Sequence, residues 1–344
     1  MGGIVSPGAF EDRADRSSTN PPTASSPLLG HPSPSLPGEV GAWTVELGVD
    51  AFPFLADHRL RGTVVLPGAA MVEMALAAAT ASTGSHPCAL DEVKFERICV
   101  LSPTGVRRLR VALRAGRGAD LAVTVAGGSP GAPATAHATA KVMPCTGPSG
   151  AQFDVAAHAS EVRRAGAEIP GETFYDSWRA VGNGYGPTFR TLRHLWRRSD
   201  GAVALLSAAP AAHADRSGWL AHPVILDAAV QLVAATAGVT DQAFVWAGCE
   251  RVRLADRLPA EGQAYARARR GADAGQPVGD AFVLGPTGRV LAEITGVRLH
   301  LLRAGSSRHR GGKTAAVSEA VDESRRYDGR ILVDGDPGWR HARS

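Results

Sequence analysis

His58 opens a short pattern, His-x3-Gly-x4-Pro, that continues through Gly62 and Pro67 and is followed by Gly68. The pattern ends where an apolar helix is predicted to begin, so we expect His58 to lie in a loop beside backbone N–H groups that have no partner within that helix. Such groups favour negative charge, and a neutral imidazole beside them is suited to removing a proton next to a carbonyl group. A loop histidine that only satisfies backbone groups is the alternative interpretation.

A second pattern, His-Pro-x-x-Leu-Asp-x3-Gln, extends from His222 to Gln231 and places Asp227 in the first turn of a second apolar helix. Gln231 is expected on the same helix face as Asp227, where it can hydrogen-bond the carboxyl group. Burial among apolar side chains raises the pKa of a carboxyl group, so we expect Asp227 to stay protonated near neutral pH and to donate a proton. Compensation of the helix dipole by an early acidic residue is the alternative.

A third pattern, Gly-Tyr-Gly-Pro-x-Phe, runs from Gly184 to Phe189 and contains Tyr185. Its glycine and proline residues predict a tight turn that leads into a strand. On its own this pattern indicates a turn and no particular chemistry.

Each half of the chain contains one apolar helix among several strand-like segments. The first half is predicted to form strands at 42–48, 93–100, 106–113, 121–125 and 136–142 and a helix at 67–80. The second half is predicted to form helices at 172–181 and 223–237 and strands at 189–196, 203–206, 243–247, 263–269, 281–284 and 289–301. A helix that is apolar on most of its surface must be buried, and a curled antiparallel sheet covers it compactly. The pattern predicts an α+β fold, a double hot-dog in which two sheets each enclose one helix.

The length of 344 residues allows two core-bearing units. Residues 1–26 are rich in proline and serine, which predicts a disordered segment, and residues 303–344 are predicted to form a flexible basic tail. We expect residues 27–150 to form the first hot-dog, with His58, and residues 151–302 to form the second, with Asp227. The two units should not be separable, because each holds one of the two chemical groups.

Charge and cysteine content exclude several classes of protein. The net charge at pH 7 is +4: residues 1–38 carry −1, the 264 residues from 39 to 302 carry +2, and the tail at 303–344 carries +3. A nearly neutral core is not the surface of a nucleic-acid-binding protein. The four cysteines form no Cys-x-x-Cys pair, which predicts neither a zinc site nor a disulfide framework. No apolar stretch is long enough to span a bilayer and no secretion signal is present, so we expect a cytoplasmic protein.

The three patterns, in this order, resemble the dehydratase domains of polyketide synthases. Flanking segments extend the resemblance, from Ser-Pro-Leu-Leu-Gly at 26–30 to Gly-Arg-Val-Leu-Ala-Glu-Ile-Thr-Gly-Val-Arg-Leu at 288–299, so that it covers about residues 27–302. Two positions depart from the family. Arg190 stands where the family often has glutamine, and Phe54 stands where tryptophan is common.

The resemblance implies a hydro-lyase that removes water from a 3-hydroxyacyl thioester on an acyl carrier protein and gives the trans-2-enoyl thioester. His58 would take the proton from C2, and Asp227 would protonate the leaving hydroxyl group on C3. The other residues of the patterns would bind or orient the substrate and the acid, with the Gly68 N–H directed at the thioester oxygen: Gly62, Pro67, Gly68, Tyr185 and Gln231. No metal and no cofactor are implied beyond the phosphopantetheine arm that carries the substrate.

The expected partners are an acyl carrier protein and polyketide synthase modules, with no nucleic acid and no membrane. A carrier protein is acidic, so basic residues near the pocket should guide it, and Arg107, Arg108 and Arg110 on a predicted strand are the candidates. The initial methionine and the two long tails favour a free-standing protein that acts in trans, and a homodimer is compatible with this interpretation.

Other functions on the same scaffold stay open from the sequence. A dehydratase-like cyclase that closes a ring by oxa-Michael addition, or a double-bond isomerase, would use the same histidine and aspartate. A carrier-protein-binding module without turnover belongs to a different class, and the presence of both His58 and Asp227 argues against it. A hot-dog thioesterase fits less well, because His-x3-Gly-x4-Pro is not its usual signature.

Overall fold

The structure is a computed structural model that describes residues 26–84, 88–116, 121–127, 134–144, 153–209, 218–239, 241–269 and 276–302. The predicted disordered segment (all but its last residue, Ser26), the predicted tail and the predicted boundary near residue 150 lie outside these ranges. The first half of the chain contains one helix and eight strands among the described residues: β1 His31–Pro32, β2 Glu39–Leu47, β3 His58–Leu60, β4 Thr63–Val64, α1 Gly68–Thr83, β5 Cys88–Phe95, β6 Arg107–Ala115, β7 Leu121–Gly127 and β8 Thr135–Pro144.

The second half contains three helices and eight strands among the residues that the structure describes. These are α2 Val155–Ala165, β9 Ala167–Pro170, α3 Gly171–Val181, β10 Asn183–Tyr185, β11 Leu192–Arg197, β12 Gly201–Ser207, α4 Pro223–Thr236, β13 Ala243–Leu254, β14 Glu261–Ala268, β15 Val278–Leu284 and β16 Val290–Leu302. Two 3₁₀ turns, at Pro53–Asp57 and Pro187–Phe189, precede β3 and follow β10.

Thirteen of the described strands form one antiparallel sheet in the order β1-β2-β6-β7-β8-β5-β13-β16-β15-β14-β12-β11-β9. The strands from the first half lie together at one end and those from the second half at the other. The pairing of β5 with β13, in which Val93 lies opposite Cys249, joins the two halves into a continuous sheet. This pairing gives the two halves a shared backbone framework.

The two apolar helices form the centre of this architecture. All residues of α1 from Ala69 to Ala79 are buried, and α1 contacts strands β2 and β5–β8. Every residue of α4 is buried, and α4 contacts β11, β12 and β14–β16. The helices also contact each other. The predicted arrangement of one enclosed helix in each half is therefore confirmed. No helix in the described part of the chain is both long and apolar enough to cross a membrane.

A second, small sheet of three strands, β10-β3-β4, connects the two halves. Strands β3 and β4 form a hairpin whose two-residue turn, Arg61-Gly62, has positive φ angles of 49° and 83°. A turn with positive φ at both positions matches the twist of a hairpin, and glycine is favoured there. Strand β10 from the second half pairs with β3 from the first, with Tyr185 opposite His58.

This small sheet corrects two predictions. His58 begins a strand rather than lying in a loop, because its backbone pairs with Tyr185 of β10. The segment from Gly184 to Phe189 is the end of that strand followed by a 3₁₀ turn, so the strand predicted from Phe189 begins only at Leu192. Both predictions were wrong because the pairing partners are far apart in the sequence.

Two further elements differ from the prediction. The strand predicted over 93–100 ends at Phe95, because the next residues leave the large sheet: Val100 forms a bridge with Val65, and Leu66 N donates to Cys99 O at 2.8 Å. Helix α2 is absent from the predicted elements. The Asp154 side chain caps its first turn by accepting from Ala157 N at 2.9 Å.

Glu73 lies on α1, and its buried carboxyl group binds the backbone just before α4. Its two oxygens accept hydrogen bonds from Leu220 N at 3.0 Å and Ala221 N at 2.7 Å. Burial raises the pKa of Glu73 from 4.5 to about 7, although the two backbone N–H groups act in the opposite direction. Desolvation of the charged form is the largest cause of this shift. Glu73 therefore ties the central helix of one half to the segment just before Asp227.

We expect this carboxyl group to make stability depend on pH. Between pH 4.5 and about 7 the folded chain holds the Glu73 proton more tightly than the unfolded chain, so the free energy of unfolding falls as pH rises, by about 3 kcal/mol. The free energies of unfolding of the wild type and of Glu73→Gln are measured in urea. The difference between them should change by about 3 kcal/mol from pH 4.5 to about 7. The exposed Glu172→Gln is the control and should give a constant difference. A constant difference for Glu73→Gln would contradict the prediction.

Candidate active site

The imidazole of His58 is held in one orientation by its hydrogen bonding. His58 Nδ1 lies 3.0 Å from the carbonyl oxygen of Val65. A carbonyl oxygen only accepts, so Nδ1 donates and the proton of the neutral ring is on Nδ1. Nε2 is then the free acceptor, and it lies 4.0 Å from Asp227 Oδ1. The fixed backbone contact therefore directs a basic nitrogen at the carboxyl group of α4.

Helix α4 begins at Pro223 as predicted, and Asp227 is its fifth residue, so Asp227 lies in the second turn and not in the first as predicted. Compensation of the helix dipole therefore does not explain this residue, since that effect falls off within the first turn. Burial raises the pKa of Asp227, while the neighbouring His58 and the hydrogen bond from Gln231 lower it. Gln231 Nε2 donates to Asp227 Oδ2 at 2.8 Å, as the helical spacing predicted.

Tyr175 is a further residue of this network that the sequence patterns did not indicate. Its hydroxyl group donates to Gln231 Oε1 at 2.9 Å and accepts from Leu192 N at 3.1 Å. The chain of contacts runs from the backbone of β11 through Tyr175 and Gln231 to Asp227. Each group in it is buried. The carboxyl group is thus held by side chains whose own positions are fixed.

Asp57 connects the two halves next to His58. Its Oδ2 accepts from Thr188 N at 2.9 Å and from Thr188 Oγ1 at 2.7 Å, and its backbone oxygen accepts from Gly186 N at 2.7 Å. A Cβ atom at Gly186 would lie 2.2 Å from Asp57 Oδ1, so glycine is needed at this close approach. The turn of the third pattern therefore serves to dock the second half against the strand of His58.

A pocket opens between the two central helices and has a volume of about 70 Å³. His58 and Asp227 face each other in it, and Gly68, Tyr185 and Gln231 also line it. The other lining residues are ten apolar ones, two arginines and an asparagine: Leu60, Val65, Leu66, Met71, Phe95, Ile98, Val230, Phe244, Val245, Trp246, Arg59, Arg97 and Asn183. An apolar pocket with a few convergent polar groups is typical of a small-molecule site.

Gly68 is the first residue of α1, so its N–H has no acceptor within the helix. A Cβ atom at this position would lie 2.9 Å from Phe95 Cζ and 2.9 Å from Trp246 Cε3. Only glycine therefore fits between these two rings. The site combines a base, an acid and a backbone N–H at a helix N-terminus in one enclosure.

Comparison with known proteins assigns this site to a family. Residues 26–127 match the family described as polyketide synthase dehydratase domain. Residues 153–309 match the family described as polyketide synthase dehydratase N-terminal domain. The chain belongs to the polyketide synthase dehydratase family. The two matched segments include all three sequence patterns, with His58 in the first and Asp227 in the second.

Individual relatives of this dehydratase are much longer proteins. Polyketide synthase GfsE of Streptomyces halstedii is 30% identical over 93% of the chain, which spans 9% of that protein. A phenolphthiocerol/phthiocerol polyketide synthase of Mycobacterium tuberculosis is 27% identical over 83% of the chain, which spans 16% of that protein. The chain therefore corresponds to a small part of each synthase.

Solved structures show the same fold. The dehydratase domain from the CurF module of Curacin polyketide synthase has a TM-score of 0.73 at 22% identity and covers 81% of this chain and 100% of its own. The dehydratase domain of a mycocerosic acid synthase-like polyketide synthase has a TM-score of 0.69 at 26% identity, covering 79% and 96%. The predicted double hot-dog fold is confirmed.

The remaining pattern residues of the dehydratase have separate positions. The Tyr185 ring packs edge-on against the His58 ring with centroids 5.6 Å apart, and both burial and the Asp227 charge raise the Tyr185 pKa. Gly62 forms the β3–β4 turn and Pro67 precedes α1 as its N-cap, and neither is among the lining residues. These two residues shape the backbone that carries His58 and Gly68.

The two residues that depart from the family pattern, Arg190 and Phe54, do not line the pocket. Arg190 Nε donates to Tyr185 O at 2.8 Å, and its guanidinium group lies over the Tyr175 ring at 5.7 Å from the ring centroid. Phe54 packs against His222 and Phe189, with centroid distances of 5.5 Å and 6.2 Å. Arg190 therefore supports two tyrosines of the site without lining the pocket.

The arginines of β6 are engaged in contacts within the chain. Arg108 pairs with Glu46 at 2.6 Å, Arg110 pairs with Glu39, and Arg107 lies 3.4 Å from the His137 ring. The two carboxylates offset the charges of Arg108 and Arg110, whereas the His137 ring offers no negative charge to Arg107. Two other arginines, Arg59 and Arg97, line the pocket itself, and no sequence pattern distinguished them.

The described residues offer no group of three His, Cys, Asp or Glu side chains that could hold a metal ion. At the site, two residues of these types, His58 and Asp227, face each other. Asp227 is linked by hydrogen bonds to Gln231 and, through Gln231, to Tyr175. His58 and Asp227 can each give or take a proton.

We expect Tyr175→Phe to slow proton donation by Asp227 without abolishing it. The substitution deletes the hydroxyl group that donates to Gln231 Oε1, so Gln231 gains freedom to turn away from Asp227. A lost hydrogen bond of this kind is worth about 1 kcal/mol, which corresponds to a roughly fivefold lower kcat with little change in KM. Steady-state kinetics with a 3-hydroxyacyl thioester measure the effect. Tyr265→Phe, which makes the same chemical change at a buried tyrosine of β14 that does not line the pocket, is the control. An equal loss in both variants would contradict the positioning role.

Proposed function

We propose that this chain removes water from a 3-hydroxyacyl thioester and produces the trans-2-enoyl thioester, with His58 as base and Asp227 as acid. One observation carries the proposal: Nε2 of His58 faces Oδ1 of Asp227 across 4.0 Å inside the pocket, while Nδ1 is fixed by Val65 O. The gap is too long for a hydrogen bond and leaves the two groups directed at a shared space. A C2 hydrogen and a C3 hydroxyl group of one substrate fit these two positions.

The first half of the reaction is removal of a proton. The Nε2 lone pair of His58 takes the proton from C2, and the electron pair of the C–H bond moves towards the thioester carbonyl. The N–H of Gly68, at the N-terminus of α1, stabilises the negative charge that develops on the thioester oxygen. The apolar walls exclude water, which strengthens this interaction.

The second half is loss of the hydroxyl group. Asp227, protonated because burial raises its pKa, donates its proton to the oxygen on C3, and the C3–O bond breaks to release water. The electron pair from C2 forms the C2=C3 double bond. His58 then carries the proton and Asp227 the negative charge. Transfer of the proton from Nε2 to Oδ1 restores both groups for the next turnover.

The proposed substrate is carried on the phosphopantetheine arm of an acyl carrier protein. Supporting this, the relatives are polyketide synthases, and Arg59 and Arg97 place positive charge at the pocket. An acidic carrier or the phosphate of its arm is attracted to such charge. We place the reaction in the cytoplasm, where polyketide synthase modules would supply the carrier-linked substrate.

The test is incubation of the purified chain with 3-hydroxybutyryl pantetheine and identification of the product. We expect loss of one water and formation of the conjugated trans-2-enoyl thioester, detected by mass and by chromatography against standards. A second reaction with a 3,7-dihydroxyoctanoyl thioester tests ring closure. A cyclic ether, or a 3-enoyl isomer, as the main product would assign the chain to the cyclase or isomerase alternatives. Retention of the hydroxyl group in every substrate would overturn the proposal.

A further inference from the structure

A second cavity lies beside the proposed active site, inside the first half of the fold. It is small, about 10 Å³, and is bounded by α1 on one side and by strands β5, β7 and β8 on the other. Its lining is apolar except for Thr139. Met71 and Phe95 line both this cavity and the active-site pocket. These two side chains are therefore the partition between the two spaces.

The partition has one fixed and one adaptable member. The Phe95 ring packs on the Trp246 ring with centroids 4.9 Å apart, and both rings contact the position of Gly68. Met71 is buried one helical turn after Gly68. A methionine side chain is unbranched and flexible, so it repacks more readily than an aromatic ring held between neighbours. Met71 should therefore move aside more easily than Phe95 when a substrate presses against the partition.

The volume of the pocket limits what fits in front of the partition. A cavity of about 70 Å³ holds about five to seven water-sized groups, because each needs about 10–15 Å³ on this measure. The reacting carbons and oxygens of a 3-hydroxyacyl thioester already fill such a space. A longer alkyl tail has no room unless it passes the partition, and the apolar cavity behind it, about 10 Å³, adds space for about one further group.

Resting on the proposed function, we infer that Met71 and Phe95 form the wall that sets acyl chain length, and that the substrate is a short-chain 3-hydroxyacyl thioester. The cavity behind the wall, together with the space freed when a wall side chain is shortened, is where the next carbons of a longer chain lie. Its apolar lining favours methylene groups over polar substituents. Met71 and Phe95 are specificity-determining residues in this account and take no part in the chemistry.

The test compares thioesters of three lengths, 3-hydroxybutyryl, 3-hydroxyhexanoyl and 3-hydroxydodecanoyl, as pantetheine derivatives. We expect the wild type to prefer the butyryl substrate in kcat/KM, and Met71→Ala to raise the hexanoyl-to-butyryl ratio about tenfold or more. Met74→Ala is the matched control, since Met74 is fully buried on the same helix and lines neither space. Phe95→Leu opens the same wall and replaces Met71→Ala if that variant does not fold.

Two outcomes would overturn the inference. One is equal kcat/KM of the wild type for the butyryl and dodecanoyl substrates, and the other is an equal shift of the ratio in Met71→Ala and Met74→Ala. Calorimetric binding of the matching trans-2-enoyl pantetheines gives the same comparison without turnover. If the wild type dehydrates no substrate, the proposed function fails, while a chain-length shift in binding would still support the wall.

Discussion

Replacing Asp227 with asparagine is expected to lower kcat by on the order of 10³-fold, since general acid catalysis contributes about 10²–10⁴-fold. Asparagine keeps the shape of the side chain and an oxygen that accepts from Gln231, but its amide protons are not acidic enough to protonate the leaving hydroxyl group. Hydroxide is a poor leaving group, so the C3–O bond then breaks slowly. Single-turnover measurement of enoyl thioester formation separates this loss from any change in binding.

The pH dependence of the wild type provides a second test of the same residue. Asp227 acts only while it is protonated, and burial raises its pKa, so kcat should fall as pH rises through that raised pKa. Gln231→Leu removes an N–H group that stabilises the carboxylate, which should move the fall to higher pH. Asp200→Asn makes the same chemical change at an exposed turn and should leave kcat unchanged. Wild-type kcat in Asp227→Asn would contradict the assignment of the acid.

Replacing His58 with alanine is expected to lower kcat by a similar factor, on the order of 10³-fold. The variant removes the only nitrogen whose free lone pair faces Asp227 in the described site, and the C2 proton then has no positioned acceptor. Truncation leaves a space next to the Tyr185 and Phe189 rings, whose centroids lie 5.6 Å and 5.1 Å from that of His58. Added imidazole should enter this space and restore part of the rate.

His194→Ala is the control for this variant, because His194 is an exposed histidine on β11 that pairs with Glu168. It should retain the wild-type rate and should not respond to imidazole. Circular dichroism and thermal unfolding of all variants check that the fold is kept. A His58→Ala protein with the wild-type rate would show that another group removes the proton, and would contradict the proposed mechanism.

The sequence predicted the parts of the site that follow from local periodicity. The apolar helices α1 and α4 could be predicted because a helix with apolar residues on all sides must be buried. The contact between Asp227 and Gln231 could be predicted because residues four apart share a helix face. Helix α2 could also have been found, since Asp154 is a capping residue and Val155, Ala159 and Val162 recur with helical spacing.

The parts that escaped prediction depend on contacts between residues distant in the sequence. The pairing of His58 with Tyr185 and the docking of Asp57 on Thr188 join segments from the two halves. Tyr175 reaches Gln231 only because α3 and α4 meet in the folded chain. No spacing within either segment encodes such contacts, so His58 was expected in a loop and Tyr175 was not singled out.

The central claim is that His58 and Asp227 eliminate water across C2 and C3, and a substrate with two deuterium atoms on C2 tests it most directly. Mass spectrometry of the product from 2,2-dideutero-3-hydroxybutyryl pantetheine follows the fate of each atom. The account predicts loss of one HDO with one deuterium retained by the wild type, and no loss by His58→Ala or Asp227→Asn on the same time scale. Loss of H₂O with both deuterium atoms retained, or an unchanged rate in either variant, would contradict it.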